Sequence, residues 1–209
     1  MAGRVSAEKV YEYVREKIVS KELFPGNRIV EEDLADELHT SRTTIRNGIV
    51  TLKNSGLVDV VPNYGTFVTK PNYSEMLQIY SLRVVLESEA IRQAVPRISD
   101  AGLKRMEANL EAQRRLTKNY SMAKYVDLNT AFHEEILLAS ENNYLVKYLR
   151  ELFNKTAVFL TFYDTSVSNE ESLISHEQIF EALIKRDEQA ALEALKSDLT
   201  IAVDCISIK

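Results

Sequence analysis

Cysteine is nearly absent: Cys205 is the only one in 209 residues. No disulfide can form within the chain, and a reducing cytosol is the simplest compartment for it. Proline and glycine are also scarce, at four and six residues, and with a hydrophobic share of 45% this argues against extended disorder. No stretch approaches the ~18 consecutive apolar residues of a membrane span. The opening MAGRVSAEKV lacks the apolar centre of a signal peptide. These absences predict a cytoplasmic protein without a membrane partner. The length exceeds the ~100–150 residues of an ordinary domain, so two compact units are expected.

Positive charge is in deficit overall, with a net charge of −5. Residues 1–70 nevertheless carry ten basic and ten acidic side chains, so the whole excess belongs to the rest of the chain. Within 38–70, Arg42, Arg46, Lys53 and Lys70 face only Asp59. A local positive surface there suits phosphate.

Helical and strand periods divide the chain in the same place. Ser6 is placed to cap a helix over 7–21, with Val10, Val14 and Ile18 on one face. Pro25-Gly26 turns the chain into EEDLADEL, whose first-turn acids suit the positive end of a helix dipole. A break at His39-Thr40 precedes Ser41, an N-cap for a helix to about Asn54 that Gly56 stops. Ile45, Ile49 and Leu52 point inward, leaving Arg42, Thr43, Arg46 and Asn47 on the exposed side. The β-branched runs 57–61 and 66–69 flank Pro62-Asn63-Tyr64-Gly65, a hairpin signal. From about Tyr73 onward the pattern is helical throughout. Leu77, Tyr80, Val84 and Ile91 mark one helix, Pro96 interrupts, and Ser99, Ser121 and Asn142 open the next three. A loop over 164–170 precedes helices at 171–186 and 188–207. The expected fold is mainly α, with a winged helix-turn-helix over 1–71 and a six-helix antiparallel bundle over 72–209.

The stretch PGNRIVEEDLADELHTSRTTIRNGIVTLKNSGLVDVVPNYGTFV resembles the winged helix-turn-helix of the GntR family. Pro25-Gly26, SRTTIR at 41–46, Ser55-Gly56-Leu57 and Gly65-Thr66-Phe67-Val68 all stand at that family's spacing. The six-helix remainder resembles the FCD ligand domain of the FadR subfamily in its VanR-like form. The resemblance implies a transcription regulator that binds double-stranded operator DNA through Arg42, Thr43, Thr44, Arg46 and Gly65. An arginine fork grips guanine or phosphate, and a glycine lets backbone approach the duplex. Glu32 departs from the pattern, standing where many members have a DNA-contacting arginine.

For the bundle, the resemblance implies a metal site on Asn129, His133, His176 and Asp198, two of which depart from the family's usual Asp and His. The set still suits Zn, Ni, Fe or Mn. Arg83 would help to bind a small organic acid near that ion, or else pair with Glu87. The residues themselves point the same way. Asn129 and His133 share a face with Ile136, His176 with Ile179 and Leu183, and Asp198 with Ala191 and Leu195. Polar groups on three apolar faces are costly to bury unpaired, so they meet each other or a ligand. A homodimer is expected, since two-fold symmetry doubles the specific contacts of one recognition helix. The competing readings are an architectural DNA-binding protein and a metal-dependent enzyme. The enzyme reading lacks any evident general base or nucleophile motif.

Overall fold

A computed structural model of the chain describes residues 5–70, 72–163 and 168–207. They form two units, one of residues up to 71 with Asn154–Phe162, the other of Asn72–Phe153 and the chain from Tyr163 onward.

In the first unit, α1 (Ala7–Val19) starts at Ser6, whose Oγ accepts the Lys9 N–H at 3.3 Å. Its expected stripe, Val10, Val14 and Ile18, is fully buried. The short α2 (Glu31–Glu37) has Val30 at its N-cap with no side-chain bond, so the first-turn acids Glu31, Glu32 and Asp33 face the helix dipole without a cap. His39 then adopts a left-handed φ of 48°, turning the chain within three residues into Ser41. The Ser41 Oγ accepts the Thr44 N–H and opens α3 (Arg42–Asn54).

Three strands complete this unit: β1 (Arg28–Ile29), β2 (Val58–Val61) and β3 (Gly65–Val68), antiparallel in the order β1-β3-β2. The hairpin β2–β3 follows the expected pattern, with Val61 paired to Gly65. Strand β1 was not expected. At two residues it is too short to show alternation, and it exists because Arg28 and Ile29 pair with Phe67 and Thr66 on the outer edge of β3. Ile29, Leu34, Ile45, Ile49, Leu52, Leu57, Val58 and Val68 join the α1 stripe in one core.

The chain from Asn72 onward is helical: α4 (Tyr73–Ala94), α5 (Asp100–Leu116), α6 (Met122–Ala139), α7 (Asn143–Tyr163), whose Asn154–Phe162 count with the first unit, α8 (Ser168–Lys185) and α9 (Glu188–Ser207). Asn72 and Ser99 cap α4 and α5 through their side chains, whereas Ser121 begins α6 without such a bond. Helix α9 packs on α8 and α4, α6 on α5 and α4, and α5 on α8. The Arg186 guanidinium donates to the Val95 and Ile98 carbonyls at 2.5 and 2.7 Å, satisfying acceptors at the α4–α5 connection.

Two expectations need correction. Leu77 is exposed, because the buried face of α4 runs through Met76, Ile79, Tyr80, Arg83, Glu87, Ala90, Ile91 and Ala94. An apolar count misses a face that carries two buried charges. The loop over 164–170 lies outside the described residues at 164–167, and from Ser168 the chain is already helical.

The α1–α3 crossing depends on one glycine. A Cβ on Gly48 would come within 2.4 Å of Val10 Cγ1 and 2.5 Å of Val10 Cβ, and Val10 is fully buried. Gly48→Ala is therefore expected to cost about 1–3 kcal/mol as an overpacked core, read as a lower urea midpoint with the helical content retained. An unchanged midpoint would show that the crossing has slack.

Candidate DNA-reading face and buried polar cluster

The capped start of α3 turns Arg42, Thr43, Arg46 and Asn47 outward while Ile45, Gly48 and Ile49 are buried. Thr44 is half-buried, its Oγ1 2.9 Å from Ser41 Oγ. Both arginines are already engaged. Arg42 Nη2 meets Glu32 Oε1, and Arg46 Nε lies 2.9 Å from Glu31 Oε2. The departure at Glu32 is thus an ion-pair partner for a recognition-helix arginine. Gly65 opens β3 at φ 122°, and the space its missing side chain leaves is taken by the Arg28 guanidinium, 3.2 Å from where a Cβ would stand. Sequence reasoning missed Arg28. Its signal was the strand pairing that brings it across the wing, which the two-residue β1 hides.

In the second unit, α6, α8 and α9 bring His133, His176 and Asp198 together, all buried, with one ligand atom from each within 4.8 Å of the others. Asp198 sits between the rings: Oδ2 is 3.3 Å from His133 Nε2 and Oδ1 is 3.6 Å from His176 Nε2. Asn129 stands beside the group. Its Nδ2 donates to Ser172 Oγ at 3.3 Å, and that hydroxyl donates to Asp198 Oδ1 at 3.3 Å.

The far nitrogens are held by Gln113, which the sequence did not single out, and by Glu87, expected only as a partner of Arg83. Gln113 Nε2 donates to Asn109 Oδ1 at 2.6 Å, which leaves Gln113 Oε1 as an acceptor 3.0 Å from His176 Nδ1. The His176 proton is therefore on Nδ1 and a lone pair on Nε2, which faces Asp198 Oδ1 and lies 3.5 Å from the Ser172 Oγ whose own proton goes to Asp198. Burial drives the His176 pKa down to about 4, so this ring is neutral. On the other ring, Glu87 Oε2 is 2.8 Å from His133 Nδ1, and Glu87 Oε1 accepts Arg83 Nε at 2.6 Å. Burial alone would lower the His133 pKa, but the Glu87 and Asp198 carboxylates outweigh it and raise it to about 9. Burial would likewise raise both carboxylates, yet Arg83 and His133 hold Glu87 below its ordinary range, and the charged His133 with the more distant Arg83 holds Asp198 below its own. The cluster is charge-balanced: Arg83 and His133 positive, Glu87 and Asp198 negative.

Neither His133 nitrogen makes an aligned hydrogen bond despite these short approaches. The ring is held by charge rather than by directed bonds. Two imidazoles and a carboxylate converging on one point, one ring with a free lone pair and the other without an aligned partner, is a donor set that fits a divalent transition metal. Arg83 is buried with its guanidinium over the Tyr80 and Phe153 rings at 5.2 and 4.9 Å. The pairing of Arg83 with Glu87, one of the two expectations for that arginine, is present, and Ser172 could have been found by its four-residue spacing from His176.

Residues 6–68 match the gntR family of bacterial regulatory proteins, and residues 78–200 match the FCD domain. The chain is 25% identical over 205 residues to an HTH-type transcriptional regulator in an unstable DNA locus of Streptomyces ambofaciens, covering 98% of this chain and 86% of that protein. It is 25% identical over 195 residues to the HTH-type transcriptional repressor RspR of Escherichia coli, covering 92% of this chain and 85% of that one. The E. coli McbR/YncC structure shares the fold at a TM-score of 0.85 with 19% identity, over 97% of this chain and 98% of that chain. Among the described residues no helix is long and apolar enough to cross a membrane. With a winged helix that exposes Arg42 and Arg46 in front of an FCD domain, the chain belongs to the GntR family of bacterial regulatory proteins and is a DNA-binding transcription regulator, not an enzyme.

Proposed function

We propose that the chain is a cytoplasmic, homodimeric repressor whose operator affinity is set by a small organic acid bound near a metal ion in its FCD domain. In this reading residues 1–71 bind DNA, and residues 72–209 sense the ligand and dimerise. The observation that carries it is the convergence of His133, His176 and Asp198 in the bundle core. Zinc, nickel, iron or manganese suits this set, and the bound ion would supply a Lewis-acid position for a carboxylate.

The protein's own part is orientation and charge. Gln113 keeps the His176 lone pair on Nε2, and Glu87 holds His133 by Nδ1 so that Nε2 faces Asp198. Arg83 adds a buried positive charge beside Glu87. Asn129 contributes a neutral amide at the edge of the group. Operator contact falls on Arg42, Thr43, Thr44, Arg46 and Gly65, with Arg28 beside the wing as a further cation. A two-fold assembly would present two such faces to a pseudo-palindromic site.

Three outcomes are expected. Sedimentation at micromolar concentration yields a dimer that shifts a palindromic duplex as one two-subunit complex. A monomer that shifts DNA alone would contradict the assembly.

Arg46→Ala lowers affinity for selected operator DNA by roughly 1–3 kcal/mol and relaxes preference at one base pair. If titrations on cognate and scrambled duplexes fall equally, Arg46 touches phosphate, and unchanged binding to both removes it from the interface.

His133→Ala and His176→Ala each abolish stable metal binding, Asp198→Ala weakens it severely, Asn129→Ala matters least, and Asn129→Asp tightens it. A chelator lowers the thermal midpoint of wild type but not of the two histidine variants. Because the metal-free site keeps His133 protonated up to about pH 9, an ion must displace that proton. Calorimetry in buffers of different ionisation enthalpy should then show about one proton released per ion near pH 7, with affinity falling as pH falls. Metal uptake without proton release would contradict a charged His133.

A further inference from the structure

The two acid–arginine pairs on the DNA-reading face use different atoms of the guanidinium. Glu32 takes Arg42 by Nη2, one of the two terminal nitrogens. Glu31 takes Arg46 by Nε, at 2.9 Å, on the inner side of the group. The distinction matters because bidentate readout of guanine O6 and N7 needs two donors from one guanidinium edge. Glu32 engages one N–H of a terminal nitrogen of Arg42, so only the other terminal nitrogen is untouched by that acid. Arg46 keeps both.

We infer that Glu31 is a specificity-determining positioning residue, which holds Arg46 by Nε so that its paired terminal nitrogens read a guanine rather than a phosphate. The inference rests on the reading of Arg46 as a DNA contact. Stability does not explain the pair, since its side chains are 36% and 69% exposed and ion pairs of that kind contribute little. Orientation does. A free arginine on a helix surface samples many rotamers, and ordering it on binding is costly, so a side chain held in advance loses less. The same carboxylate also discriminates. A guanine contact through the terminal nitrogens leaves the Nε–carboxylate bond intact. A swing toward a phosphate breaks it and leaves Glu31 bare against a polyanion, where it takes up a cation and cancels part of the counter-ion release that drives non-specific binding. The pairing therefore weakens phosphate-only binding while leaving base readout untouched.

The test uses the full-length protein and duplexes of ~25 bp, long enough for two half-sites, enriched from a random library by the wild type and compared with scrambled versions. Glu31→Ala should lower affinity for the enriched duplex about three- to tenfold while scrambled binding stays level or rises, so the specificity ratio falls by about tenfold. The salt dependence on scrambled DNA should steepen by about one in log–log slope. Glu31→Gln, which can still accept from Nε but carries no charge, should fall between Glu31→Ala and wild type. In an Arg46→Ala background, Glu31→Ala should not change the ratio further. An unchanged ratio in Glu31→Ala, or the same loss with Arg46 already removed, overturns the positioning role while Arg46 itself stands as a contact if Arg46→Ala lowers the ratio. Should the wild type enrich no duplex at all, the DNA-contact reading of Arg46 fails and this inference falls with it.

Discussion

A carboxylate buried in the core is the constraint on which the helical domain is built. Asp198 is buried, and an isolated buried charge is among the costliest groups a protein can carry. The bundle meets this by setting the charged His133 and the Ser172 hydroxyl against Asp198, and by balancing the next layer with Glu87 and Arg83. Each of α4, α6, α8 and α9 gives up part of its apolar face to do so. Such an arrangement is a poor route to stability alone, since apolar residues of similar volume would serve as well or better. Its geometry makes sense as a place that accepts a cation.

The two imidazoles are unlike although they flank one carboxylate. Gln113 is neutral and holds His176 as a neutral ring with its lone pair directed inward. Glu87 is anionic and holds His133 as a cation. The site thus stores a proton where one ligand of a metal would bind, and metal and proton compete for the same ring. That competition couples the site to its surroundings through ordinary acid–base chemistry, with no strain in the backbone around it.

The DNA-reading face follows a separate logic. Its helices are fixed from behind by a crossing that admits no Cβ at Gly48, and Arg42 and Arg46, the proposed DNA contacts, are held from the side by the acids of α2. A zero net charge over residues 1–70 then has a structural meaning. The carboxylates do not merely dilute a basic surface, because Glu32 and Glu31 are paired with Arg42 and Arg46 on its exposed helix. Much of this could be read in advance. Ser6, Ser41 and Ser99 cap the helices they were expected to cap, the apolar stripe of α1 is buried as its spacing says, and the hairpin pairs where β-branched runs flank a turn. Also legible were His133, His176 and Asp198, because a polar residue on an apolar helical face stands out against its neighbours. What stayed hidden depends on partners distant in sequence. Strand β1 exists only by pairing with β3, Gln113 looks like any polar residue until His176 lies against it, and the Arg83–Glu87 pair, foreseen as a pair, is buried against His133 and so turns the face of α4 away from Leu77.

A divalent ion held between His133, His176 and Asp198, as proposed, should stay with the protein through purification. The most direct measurement is native mass spectrometry of the full-length protein purified without added metal or chelator, paired with elemental analysis of the same sample. The account predicts a folded species carrying one divalent transition metal per chain, in nearly full occupancy. A folded species at the bare mass of the polypeptide, which still takes up no ion when zinc, nickel, iron or manganese is supplied, would contradict it and leave these residues as a charge-balanced core without a ligand.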